Sequence, residues 1–143
     1  MKDIFKKIRR EWMSKVRTAQ IKLGDNAPLE INDKPTLIHR DCAILQCLMS
    51  LEEVNERREA IQSIRLTDEE RLIEVADALA DEYYLWAQAV ISHGLEDKIE
   101  ELVLEVHRSN LTKLQDGEMI TNDIGKIQKP LSYESPNLKS ILF

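Results

Sequence analysis

Apolar side chains recur along this chain at steps of three and four residues, interrupted by turn-forming clusters, and that rhythm predicts four helices. Ile4, Phe5, Ile8, Trp12, Val16 and Ala19 form the first stripe, with basic residues between them, and place a helix over about residues 2–21. The stretch LGDNAPLEINDKPT, rich in Gly, Asn, Asp and Pro, follows as a turn region. A second helix is predicted from near Pro35-Thr36 to about Ser63. Thr67 is the expected N-cap of a third, because Glu70 three residues on completes a capping box; this helix runs to about Ser92, with Gly94 as its stop. A fourth covers about residues 95–109. From Asn110 onward Asp-Gly, Gly-Lys and two prolines predict an irregular tail of turns and extended chain, with a short hairpin about Asp116-Gly117. The expected class is all-α: a four-helix, bundle-like core in a single domain over 1–143, with 1–34 as first helix and loop and 110–143 as tail.

Composition narrows this picture. A chain of 143 residues buries roughly 70% of its unfolded surface, enough to fold without a disulfide or metal staple. With 43% hydrophobic and 32% charged residues, and only 4 Gly and 4 Pro, collagen-like and wholly disordered classes are excluded. No apolar stretch approaches the ~18 residues of a membrane span. MKDIFKKIRREW has no apolar run followed by a small-residue cleavage site, and Cys42 and Cys47 are spaced for neither a disulfide framework nor a zinc knuckle. A reduced, cytoplasmic protein with no membrane partner is expected. Charge is uneven: residues 1–22 carry eight Lys/Arg against Asp3 and Glu11, a net of +6, whereas the other 121 carry 12 basic and 24 acidic side chains, a net of −12. An acidic body repels phosphate over most of its surface, which argues against a nucleic-acid polymer as partner. The basic first helix reads as a solvated amphipathic face, with contact to a membrane surface or a phosphate as the alternatives.

The acids of the second and third helices carry the chemistry. At about 100° per residue, Cys42, Leu45, Met49, Glu53, Glu56 and Ala60 fall on one stripe, apolar except for two carboxylates, with Glu52 one turn before Glu56. Buried carboxylates need a cation, a proton or a route to water. Either the helix drifts out of the core after Leu51, leaving the glutamates solvated beside Arg57 and Arg58, or the acids have a ligand. On the third helix Glu70, Glu74, Asp77 and Asp81 form a second stripe, and no Lys or Arg occurs between Leu72 and Asp97. A solvated stripe ordinarily mixes signs. Carboxylate pairs at i,i+3 on two antiparallel helices, Glu53/Glu56 and Glu74/Asp77, can meet on one ion, and oxygen-only ligation suits Mg²⁺ or Mn²⁺ rather than zinc.

Other patterns are weaker. His39-Arg40-Asp41 matches three letters of a protein-kinase catalytic loop but has no Gly-rich loop with it, and reads as the first turn of a helix. His39, His93 and His107 follow Thr36, Val90 and Leu104 at i−3, so the Glu-x-x-His pairs of di-iron bundles are missing. Asn110-Leu111-Thr112 is a glycosylation sequon by letters only. Trp12, Tyr83, Tyr84 and Trp86 sit at helical spacing as core residues first and nucleobase-stacking candidates second.

Glu52-Glu53-x-x-Glu56 followed by Glu74-x-x-Asp77 within IEVADALADEYY resembles the E-E-x-x-E … E-x-x-D pattern of the all-α nucleoside triphosphate pyrophosphohydrolases, which include MazG-like proteins, dimeric dUTPases and phosphoribosyl-ATP pyrophosphohydrolases. EVHRSNLTKLQDGEMITNDIGKIQKP, residues 105–130, is similar to the E-V-H-x-S-N-x-x-K … D-G … G-K-x-x-K-P segment of the phosphoribosyl-ATP pyrophosphohydrolase-like branch. The likeness covers roughly Leu48 to Pro136. It implies a four-helix core completed in a homodimer or homotetramer, and hydrolysis between the α- and β-phosphates of a nucleoside triphosphate to monophosphate and pyrophosphate. Carried over, Glu53, Glu56, Glu74 and Asp77 are the Mg²⁺ ligands, with Mn²⁺ as a substitute, and Glu52 orients or deprotonates the attacking water. Asn110 and Lys113 match the S-N-x-x-K positions for the outer phosphates, with Arg108 and Lys126 as nearby candidates. Basic residues beyond a helix C-terminus also complement its dipole with no ligand at all. The alternative is a non-catalytic helical module for oligomerisation or protein interaction.

Overall fold

Each helix end can be traced to a local or a tertiary cause. The structure, a computed structural model, describes residues 2–23, 30–115 and 117–143, with 2–10 and 23 as helical backbone only. Among these residues the elements are α1 (Lys2–Leu23), α2 (Arg40–Gln62), α3 (Asp68–Ser92), α4 (Ile99–Leu111), β1 (Leu114–Gln115), β2 (Glu118–Met119) and α5 (Lys139–Leu142). The fold is mostly helical, as the periodicity predicts. The side chains of Ile4, Phe5 and Ile8, the turn residues 24–29 and Asp116 lie outside the described residues. The chain divides into two compact units, Met1–Glu96 and Asp97–Phe143.

In the first unit α2 and α3 pack antiparallel. Gln46, near the start of α2, donates from Nε2 to Ser92 Oγ at the end of α3 (3.0 Å), while Ile61 at the far end of α2 lies beside Leu72 and Val75. Small side chains at Ala60, Ala78 and Ala87 allow close approach, and Ile38, Val90 and Ile91 fill the centre. Met13 and Val16 of α1 are buried as well. Trp12 stacks on Tyr83 (centroids 5.9 Å, planes 12° apart), Tyr83 on Trp86 (5.6 Å, 12°), and Tyr84 meets Trp12 edge-on (5.7 Å, 77°). Such ring pairs add to the burial of the rings themselves. The four aromatics pack on one another, but Tyr83 (49% exposed) and Trp86 (38% exposed) lie at the surface rather than in the core their spacing predicts.

Both ends of α3 follow the sequence signals. Thr67 Oγ1 accepts from Glu70 N (3.3 Å) and Glu70 Oε2 accepts from Thr67 N (2.8 Å), a reciprocal capping box. At the other end Gly94 takes φ +64°, Gly94 N donates to Ile91 O (3.0 Å) and Leu95 N to Val90 O (2.9 Å). This is the paired closure of a Schellman motif, with glycine in the left-handed position it requires.

The start of α2 differs from the sequence expectation. The helix begins at Arg40, capped by His39, rather than near Pro35-Thr36. Residues 32–36 are instead strapped to the end of α3: Asn32 Nδ2 donates to Ser92 O (2.6 Å) and Thr36 N to His93 O (2.9 Å). These bonds hold the segment extended, overriding a proline that would suit a first helical turn. Arg17 of α1 pairs with Asp33 on the same strap and with Glu96. Likewise α4 begins at Ile99 rather than near 95, because Leu95 still closes α3.

In the second unit the tail is turns and extended chain, as expected, but fixed by specific bonds. Leu114 pairs with Met119 and Gln115 with Glu118 across the hairpin. A further reversal follows, in which Asn122 Oδ1 accepts from Ile124 N (3.2 Å) and Lys126 N (2.9 Å) and Gly125 takes φ +77°. The chain then returns to α4: Ser109 Oγ donates to Glu134 O (2.8 Å), and Glu134 N donates to Thr112 Oγ1 (3.0 Å).

Candidate functional site

The first unit holds the acidic residues. Glu52, Glu53 and Glu56 project from α2, and Glu74, Asp77 and Asp81 from α3; Glu53 is half-buried and the other five are exposed. The Glu53 carboxyl is pushed above its ordinary value of 4.5, first because partial burial desolvates the charge and then because the carboxylates of Glu56, Asp81, Glu52 and Asp77 act on it. Acids from both helices thus converge on one side chain. The Gln46–Ser92 hydrogen bond and the Arg57–Glu82 ion pair (3.2 Å) set α2 against α3 in a register that brings Asp81 nearer than Asp77 to Glu53. The spacing argument anticipates Asp77 but pairs it with Glu74; Asp81, one turn further along, is the second α3 acid acting on Glu53. Helical periodicity gives the face of α3, and only the inter-helix register selects the turn. Arg57 is drawn to Glu82, so the arginine nearest Glu56 in sequence is engaged elsewhere.

The donor set is oxygen only, the chemistry a hard divalent cation takes. Like-charged carboxylates raise one another's affinity for a proton, and a cation relieves the same repulsion. Among the described residues no three His, Cys, Asp or Glu side chains stand together as a ready-made metal-binding group. The donor types alone suit a Mg²⁺-type ion; the described side chains do not stand together as a site for one.

The second unit holds the basic candidates. Lys113 Nζ donates to Asn110 Oδ1 (2.6 Å), so the two positions of the S-N-x-x-K motif meet. Arg108 is engaged within the unit: Nε and Nη2 bond both oxygens of Glu105 (2.8 and 2.9 Å), and Nη1 reaches Glu134 (2.7 Å). Its guanidinium fastens the returning tail to α4. Lys126 is exposed at the Asn122 reversal, where its backbone N–H bonds Asn122. Sequence reasoning passes over Lys129, whose Nζ stands 4.4 Å from the centre of the Tyr133 ring, with Lys113 Nζ at 5.9 Å. The Lys-Pro pair three residues beyond Lys126 is the signal that points to it.

The Arg108 clasp sets a pH dependence. Hydrogen bonds from Arg108, then from the Asn137 backbone N–H, hold Glu105 down to about 2. A depressed carboxylate stabilises the fold above its unfolded value near 4.5, and that contribution is lost as pH falls toward about 2. Carbon-detected NMR at about pH 3 is expected to find Glu105 still ionised, and Arg108→Ala to return its titration toward the ordinary range. A Glu105 midpoint unmoved by that substitution contradicts the clasp.

No known family model matches the chain, and no curated protein matches it either.

Proposed function

We propose that this chain is a Mg²⁺-dependent nucleoside triphosphate pyrophosphohydrolase, adding water across the α–β phosphate linkage to release a nucleoside monophosphate and pyrophosphate. The observation that carries the reading is the convergence of Glu56, Asp81, Glu52 and Asp77 on the Glu53 carboxyl. The motif resemblance over residues 52–77 and 105–130 supplies the reaction. Glu53, Glu56, Glu74 and Asp77 would hold the ion, with Asp81 beside them. When bound, the cation neutralises phosphate charge and lowers the pKa of a coordinated water. Glu52 would orient the attacking water and take its proton. Asn110 and Lys113 hold the outer phosphates, with Arg108 and Lys126 as supporting cations. The acidic ridge repels a triphosphate that arrives without a cation, so substrate is taken as its metal complex.

The four-helix, bundle-like core is completed by a second copy or by a tetramer. Leu48, Leu51, Leu72 and Ile73 are more than half exposed, with Leu72 at 68%, and such a concentration of apolar side chains favours association. The same exposure favours the second reading, a helical module that only oligomerises. No described helix is long and apolar enough to cross a membrane; a cytoplasmic site of action without a nucleic-acid polymer suits the nucleotide substrate.

A panel of canonical, deaminated and oxidised nucleoside triphosphates with Mg²⁺ or Mn²⁺, resolved by chromatography, tests the assignment. Monophosphate with pyrophosphate is expected from at least one substrate. Millimolar Mg²⁺ is expected to raise the melting temperature, since a ligand held by the folded state alone stabilises it. Orthophosphate as the released group overturns the pyrophosphohydrolase reaction, and no turnover with either metal overturns the enzyme in favour of the module.

A further inference from the structure

Two lysines of the second unit share one aromatic ring and line one small cavity. Lys129 Nζ lies 4.4 Å and Lys113 Nζ 5.9 Å from the Tyr133 ring centre. Both also line a cavity of about 60 Å³ with Gln115, Gln128, Ile120 and Pro130. Neither ammonium group makes an ion pair with a carboxylate among the described residues, whereas Glu105 and Glu134 are both committed to Arg108. The position of Tyr133 is built rather than accidental. Its N–H donates to Pro130 O (3.0 Å), and Ser109 Oγ reaches its hydroxyl (3.5 Å). The Ser109 hydrogen bond, then that of Ser135, then the charges of Lys129 and Lys113 hold its phenol below the ordinary range.

We propose that Lys113 and Lys129, with the side-chain amides of Gln115 and Gln128, form a phosphate-binding subsite of the second unit. The cavity has the room of about two waters, which suits one tetrahedral group and excludes a base and sugar. Lysine binds phosphate as a point charge, and glutamine supplies N–H donors to its oxygens. On a chain of net charge −6 a local pair of cations is what lets a polyanion dwell at all. The sources of the group are free pyrophosphate or the outer phosphates of a nucleotide; the second rests on the pyrophosphohydrolase reading.

The test is calorimetric titration of the full chain with inorganic pyrophosphate, without divalent metal, and in parallel with an α,β-methylene nucleoside triphosphate in the presence of Mg²⁺. Lys129→Gln is expected to weaken pyrophosphate binding by about tenfold or more, Lys129→Arg to retain most of it, and Lys139→Gln on α5 to change nothing. An equal loss for the nucleotide analogue identifies outer phosphates as the natural occupant, and a loss confined to pyrophosphate identifies a free-anion site; either supports the subsite. Absence of pyrophosphate binding, or binding unaffected by Lys129→Gln, overturns it. Because no turnover is measured, failure of the enzymatic assignment and failure of the subsite are read separately. Lys129 is exposed, so its loss leaves the fold in place.

Discussion

Glu53→Gln is expected to lower pyrophosphohydrolase turnover by roughly 10²–10³-fold while leaving the metal-free protein at least as stable as the parent. The two halves of this result have one cause. Glu53 is the carboxylate on which acids from both helices act, so on the proposed function its charge would be drawn to the cation, and without one the fold disfavours that charge. Its folded-state pKa is raised, so the sign is the reverse of the usual carboxylate. Its stabilising contribution is fully present below the unfolded value near 4.5 and is lost as pH rises through the folded value. Glutamine removes that loss, and the melting temperature of the variant should vary less with pH in this range. The Mg²⁺-induced rise in melting temperature should shrink with it. Glu59→Gln, on the same helix but outside the group acting on Glu53, is the matched control. A Glu53→Gln protein that turns over normally removes Glu53 from the chemistry; one that melts well below the parent shows the carboxylate to be structural.

Gly94→Ala should be among the most damaging single substitutions in the chain, at on the order of 3–5 kcal/mol. Two costs combine. The backbone at Gly94 has φ +64°, where an L side chain is strained, and a Cβ built there overlaps the backbone carbonyl of Lys34. The overlap is with main chain, which cannot swing aside as a side chain would. Relief requires the strap of residues 32–36 to lift from α3, releasing the Asn32 and Thr36 hydrogen bonds at Ser92 and His93. Gly125→Ala isolates the first cost: φ is +77° but nothing lies within 4 Å of the added atom, so about 1–2 kcal/mol is expected. Urea denaturation of both variants gives the comparison. Equal midpoints would mean that the strap does not rest on Gly94.

The signals legible in the sequence are those that act within a few residues. Thr67 with Glu70, and Gly94 after Ser92, fix the ends of α3 through bonds no longer than one turn, and both ends are where the letters place them. Asp81 and Lys129 were harder, because their partners are remote. Which turn of α3 brings Asp81 to act on Glu53 is set by the register of two helices, fixed in part by a buried Gln46–Ser92 hydrogen bond 46 residues apart. Lys129 gains its meaning from Tyr133, which Ser109 and Pro130 hold under it. The late start of α2 has the same origin: Pro35 is a fair first helical residue until Thr36 finds His93. Periodicity reports faces, and tertiary hydrogen bonds decide which parts of those faces meet.

The stack of Trp12, Tyr83 and Trp86 contains both tryptophans of the chain, whereas Asp97–Phe143 has none and carries Tyr133 as its one tyrosine. Emission excited at the red edge therefore watches α1 seated on α3 and is blind to the second unit. A label placed near Tyr133 is needed to watch the other, because Tyr83 and Tyr84 of the first unit also absorb. Unfolding curves recorded in both ways, on one sample, say whether the two units melt as one cooperative body: coincident midpoints mean that they do, and separated midpoints give each unit its own stability.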